Sequence, residues 1–151
     1  MATQQSWVFG HGLHVEDPGT GDFKRSTLYS SLTLERNESN WVLAAVPAPT
    51  GSPSWQVTAI MVRFYTPGRI GIDKVGIRDG ERPVASFEDL SVSDQTASTD
   101  WQTLRLPLSA PSPFEYGLGV GVHVVHSVAE YESGINPMEI RIVGVGVEFT
   151  D

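Results

Sequence analysis

The chain has 151 residues, 40 % of them hydrophobic and 19 % charged, which suits one domain burying about 70 % of its unfolded surface and excludes a disordered chain. No apolar run approaches the roughly 20 residues of a membrane-spanning helix. Lys and Arg number 10 against 18 Asp and Glu, a formal charge of −8 that repels phosphate backbones and anionic lipid, so neither nucleic acid nor a membrane is an expected partner.

Met1-Ala2-Thr3-Gln4-Gln5-Ser6 lacks the basic and apolar regions of a secretory signal, which points to the cytoplasm. Beyond it, apolar residues recur at every second position and no dozen-residue window has helical spacing, so the chain reads as all-β. The first predicted strand runs from Trp7 to Glu16, with Trp7, Phe9, His11, Leu13 and Val15 on one face and Val8, Gly10, Gly12, His14 and Glu16 on the other. Asp17-Pro18-Gly19-Thr20-Gly21-Asp22 breaks it. Leu28, Leu32 and Leu34 carry a second strand. The stretch from Asn37 to Asn40 is a polar turn, although Asn37-Glu38-Ser39 fits the glycosylation pattern, and Trp41 to Val46 is a third strand ended by Pro47, Pro49 and Pro53.

The stretch from Trp55 to Tyr65 is apolar on nearly both faces, as a central strand covered on two sides would be. Thr66-Pro67-Gly68 closes it. Ile70 to Ile77 follows, then the turn Asp79-Gly80 and a strand from Val84 to Phe87. The polar segment from Asp89 to Asp100 is expected to be a loop containing a short edge strand. Trp101 to Leu108 alternates again. After Ser109-Ala110-Pro111-Ser112-Pro113 come two long strands, Tyr116 to His126 and Met138 to Phe149. About eight or nine antiparallel strands predict a two-sheet sandwich, jelly-roll-like, with residues 1–151 as a single domain.

In the last two strands Gly117, Gly119, Gly121, Gly144 and Gly146 leave alternate positions without side chains. If these strands pair across Ser127 to Pro137, Gly121 lies opposite Gly144 and Gly119 opposite Gly146, making one strip of bare backbone. Strand glycine costs roughly 0.5 to 1 kcal/mol against alanine, so something must approach that backbone closely. One reading is a ligand on the strip, flanked by His123 and Glu148; the other is a covering by rings such as Trp41, Trp55 or Trp101, or glycines that permit strong coiling of the sheet.

His11-Gly12-Leu13-His14 and His123-Val124-Val125-His126 imitate metal-ligand pairs, but residues three apart in a strand face opposite ways, so no metal is expected. Cysteine is absent, which removes thiolate sites and disulfides. His11 and His126 fall on apolar faces, where a histidine is expected to be buried and hydrogen-bonded. There is no nucleophile elbow, phosphate loop, dinucleotide fingerprint or EF-hand, and no cofactor is implied. Glu16 with Glu148 could supply a glycosidase-like pair. Among the aromatic residues Trp7, Trp41 and Trp55 read as core, whereas Trp101 and Tyr131 are the candidates for exposure.

Several short motifs occur in order: Trp7 with His11-Gly12 and Glu16, Asn40-Trp41 before Val46-Pro47-Ala48-Pro49, and Asp79-Gly80 leading to Phe87. Tyr116-Gly117-Leu118-Gly119-Val120 and Val145-Gly146-Val147-Glu148-Phe149 complete the series. On these motifs nearly the whole chain resembles a family of small bacterial single-domain β-sandwich proteins of unestablished function. That family's pattern has threonine where Ala48 stands, tryptophan at Tyr116 and aspartate at Glu148, and a histidine matching His11 but none at His14, His123 or His126. The resemblance implies a β-sandwich and transfers no catalytic residue.

These observations lead to a non-catalytic module that binds a small molecule or carbohydrate. Gly117, Gly119, Gly121, His123, Gly144, Gly146, Glu148, Trp101 and Tyr131 are its expected ligand-binding residues. Two alternatives stand beside it. One is a cofactor-independent enzyme of the cyclase or isomerase type in which His123, His11 or Glu148 moves a proton, and the other is a self-associating structural protein, such as a homodimer.

Overall fold

In the computed structural model, which describes residues 2–50, 54–66, 70–90, 101–126 and 138–151, the alternating pattern is realised as eleven strands in two sheets. β1 (Thr3–Phe9), β3 (Asp22–Arg25), β4 (Ser30–Leu34), β6 (Gln56–Tyr65), β9 (Gln102–Pro113) and β11 (Met138–Thr150) form the first sheet, in the order β3-β4-β11-β6-β9. Its sixth strand, β1, runs along Gly144 to Thr150 of β11, and β4 along Met138 to Ile142. β2 (His14–Val15), β5 (Ser39–Val46), β7 (Ile70–Asp79), β8 (Arg82–Phe87) and β10 (Leu118–His126) form the second sheet, in the order β2-β5-β10-β7-β8. All described pairings are antiparallel.

The chain crosses repeatedly between the sheets, and the inward residues of both build one apolar core. Leu118, Val120, Val122 and Val124 of β10 face Ile140, Ile142, Val145, Val147 and Phe149 of β11 across it. A bulge between Ile142 and Gly144 re-phases β11, so that even positions point inward before it and odd positions after it. The core is mostly Val, Ile and Leu, with Phe64 and Phe149 as its largest side chains. Of the tryptophans expected there, Trp55 packs against it from a partly buried position, whereas Trp7 and Trp41 lie on outer faces.

The structure departs from the expected strands in three places. The long first strand is broken at Gly10–Gly12 by a 3-10 turn, which carries the chain from the first sheet into the second. A Cβ on Gly10 would overlap the main chain of Tyr29 and Ser30, a backbone approach that only glycine allows. His11 consequently sits exposed on the turn and not on an apolar face. Asp22–Arg25 adds a strand on β4, which with the broken first strand raises the number to eleven. Finally, the last two strands do not pair: β10 belongs to the second sheet and β11 to the first. The edge strand expected near Asp89 to Asp100 falls largely in residues 91–100, outside the described residues, as do the connection 127–137 and Tyr131.

Two buried polar side chains pin the loops beside the second sheet. Asn40 accepts from the amides of Asp17 (3.1 Å) and Trp41 (2.9 Å) and donates to the carbonyls of Asp17 (2.7 Å) and Thr20 (2.8 Å), fixing the β2–β3 loop next to Trp41. Asp79 accepts from the amides of Glu115 (2.8 Å), Tyr116 (2.7 Å) and Gly117 (3.0 Å) and from Arg82 (2.9 Å), so the β9–β10 link is tied to the β7–β8 hairpin. Burial pushes the Asp79 carboxyl up, but the three amides and Arg82 outweigh it and hold it down at about 2.

Candidate functional site

The register of the second sheet places a nearly bare patch at the centre of its outer face. Across β5, β10 and β7, His123 lies between Trp41 and Lys74, Gly121 between Leu43 and Gly76, and Gly119 between Ala45 and Arg78. His14 opposite Leu43 and Ser86 opposite Gly76 extend the middle row to both edges. Because Gly121 and Gly76 are neighbours, the sheet loses its side chains where they would otherwise meet. The main chain of core-facing Ala44, Ile77 and Val120 therefore borders the space above. The result is a groove of about 710 Å³ whose polar rim includes His14, Glu16, Arg78 and Ser86.

Trp41 forms one wall. A Cβ on Gly121 would lie 3.1 Å from Cε3 of the indole, so this glycine lets the ring fold over β10. The His123 ring stands 4.8 Å from the indole, tilted by 45°, and its Nδ1 is 2.5 Å from Oδ1 of Asp73. Asp73 is the extra residue of a β7 bulge, between partners of His123 and Val124. His123 thus backs the tryptophan at the margin and is not among the residues lining the groove. At Gly119 a Cβ would meet nothing within 4 Å, so the floor there is open. An indole beside an open floor and a polar rim can hold a ring that has an apolar face and a hydroxylated edge.

The expected residues divide between the two sheets. Gly119 and Gly121 line the groove; His123 lies next to Trp41 at its margin, and the Gly117 carbonyl accepts from the amide of Gly80, another lining residue. Gly144, Gly146 and Glu148 lie on the first sheet and contribute nothing to it. A Cβ on Gly146 would come 2.7 Å from Cδ2 of Trp7, and one on Gly144 3.0 Å from the Val8 carbonyl oxygen; an aromatic ring and a close main chain explain these glycines. Glu148 bonds to Arg105 (2.5 Å), Thr58 and Gln5, and Arg105 holds its carboxyl below the usual range. It can pair in one site neither with Glu16 nor with His123.

Trp101, exposed as expected, packs on Tyr29 and Tyr65 at 6.1 and 5.6 Å, where Arg141 covers both tyrosines, away from the groove. His126 is buried with Nδ1 3.2 Å from the Leu34 carbonyl, as a core histidine should be. Among the described residues no three His, Asp or Glu side chains gather in a way that could hold a metal ion. Trp41, Gly76 and Arg78 also line the groove, beyond the residues expected from sequence. Alternation carried the signal: Val42, Ala44 and Val46 point inward, which turns Trp41 outward, and Val75 and Ile77 do the same for Gly76 and Arg78.

The sequence matches no family model and no curated protein. Solved structures are similar over nearly the whole chain. The low affinity xylan binding module CBM86 of Roseburia intestinalis superimposes with a TM-score of 0.55 at 16 % identity, covering 97 % of this chain and 96 % of that one. Two single-residue variants of a family 29 carbohydrate binding module give 0.54 at 13 % identity, with 97 % and 93 % covered, and 0.51 at 11 %, with 98 % and 87 % covered. At such identities the likeness is one of fold: the chain is a two-sheet antiparallel β-sandwich of the architecture these modules share.

Proposed function

We propose that this protein is a non-catalytic carbohydrate-binding module that holds a glycan in the outer groove of its second sheet. The observation that carries the reading is Trp41 standing beside the open floor over Gly119 in a groove of about 710 Å³. A pyranose offers an apolar face of C–H groups to an indole and directs hydroxyls sideways, where His14, Glu16 and Ser86 supply partners. The similarity of fold to modules that are themselves named for carbohydrate binding supports the same reading.

Titration calorimetry against soluble neutral glycans (xylan, mannan, glucan) and a uronate-containing one tests it. At least one glycan should bind, and Trp41→Ala should weaken that binding by about 30-fold or more, the loss expected of a central aromatic anchor. Retention of no glycan, or an alanine variant that binds like the parent, contradicts the proposal. The His123 to Asp73 contact favours a second reading, acid–base catalysis at the groove's margin. Turnover of a bound sugar that disappears in His123→Ala would replace the first reading with the second.

A further inference from the structure

Resting on that reading, we infer that the glycan is acidic, a chain bearing uronic acid carboxylates, and that Arg78 is the residue that selects it. Arg78 stands opposite Gly119 in the register and lines the groove where the floor is open, so a sugar seated there lies within reach of its side chain. One Nη2 hydrogen donates to the main-chain carbonyl of Glu81 at 2.6 Å, which orients the planar group without neutralising it. Among the described residues no carboxylate forms an ion pair with Arg78. The carboxylates on its own strand are committed elsewhere: Asp73 to His123, and buried Asp79 to Arg82 and three amides.

A held guanidinium with unused donors at the rim of a groove matches the planar, bidentate geometry of a carboxylate better than it matches single hydroxyls. Lys74, two outward positions away on β7 and in no described ion pair, adds a second cation to this flank, while His14 and Glu16 occupy the opposite one. The net charge of −8 opposes an anionic ligand at long range. At physiological ionic strength that opposition is screened beyond about 8 Å, and within that reach Arg78 sets the sign beside Gly119.

Calorimetry with one uronate oligosaccharide and its carboxyl-reduced counterpart, in which each carboxylate has become a primary alcohol, isolates the charge. The acid should bind the parent protein about tenfold more tightly than the alcohol, the worth of one charge-assisted bidentate contact. Arg78→Gln should erase the difference and Arg78→Glu should reverse it, with thermal melts confirming that both variants fold. Equal affinities in the parent, a preference that survives Arg78→Gln, or tighter binding of a sulfated counterpart overturns the assignment. If the reduced or another neutral glycan binds through Trp41 and the carboxylate adds nothing, the acidic specificity fails while the binding role stands. If no glycan of any charge binds, both fail.

Discussion

Gly119 and Gly146 both point outward from long strands, yet a Cβ on the first would meet nothing within 4 Å and on the second would strike the Trp7 indole at 2.7 Å. Opposite outcomes are therefore expected from filling them. Gly119→Val should keep the parent's thermal stability within roughly 1 kcal/mol, since a β-branched residue suits an open strand position, and should lower glycan affinity by about tenfold because the side chain stands where the sugar would lie. Gly146→Ala should leave binding intact and destabilise the fold by about 1 to 3 kcal/mol, the usual cost of overpacking, read by denaturant unfolding. A Gly119→Val protein with full affinity would remove the floor from the site. The G-x-G pattern in the sequence could not separate these cases. Period two assigns a face, but the ring that covers Gly146 comes from β1, at the other end of the chain. Trp41 is legible as outward-facing from its own strand, but large aromatic side chains are so often buried that its type points to the core.

At the scale of elements, the Asp79 carboxylate holds the β9–β10 link against the β7–β8 hairpin, and its charge makes the joint sensitive to acid. Its folded pKa, about 2, lies below the unfolded value of about 3.9, so its contribution is present above about pH 4 and is lost as pH falls through about 2. Asp79→Asn should lower the melting temperature at neutral pH by on the order of 5 °C and flatten the acid limb of a plot of Tm against pH. Parallel acid limbs for parent and variant would show that the carboxylate does not act as described. The Asp79-Gly80 turn was readable from sequence, and Gly80 indeed takes a φ of +57°. The carboxylate's partners were not readable, because Glu115 to Gly117 reach it only through the fold. The same limit explains why β10 and β11 were paired. Nearness in sequence favours a hairpin, whereas this sandwich sends the two strands to opposite sheets.

Over the whole molecule, alternation sufficed to identify an all-β sandwich, because burying one face of every strand requires a second layer. It did not identify which outer face is functional. On the outer face of the first sheet the described side chains lie against one another: Trp7 covers Gly146, Arg105 binds Glu148, and Arg141 lies on Tyr29 and Tyr65 beside Trp101. The outer face of the second sheet is open at its centre, with Trp41 and Arg78 on either side of bare main chain. Amide chemical-shift mapping during titration with a bound oligosaccharide distinguishes the two faces in one experiment. The largest changes should fall on Gly76, Arg78, Gly119, Gly121 and the indole N–H of Trp41; changes centred on Trp7, Trp101 and Gly146 would contradict the assignment of the groove.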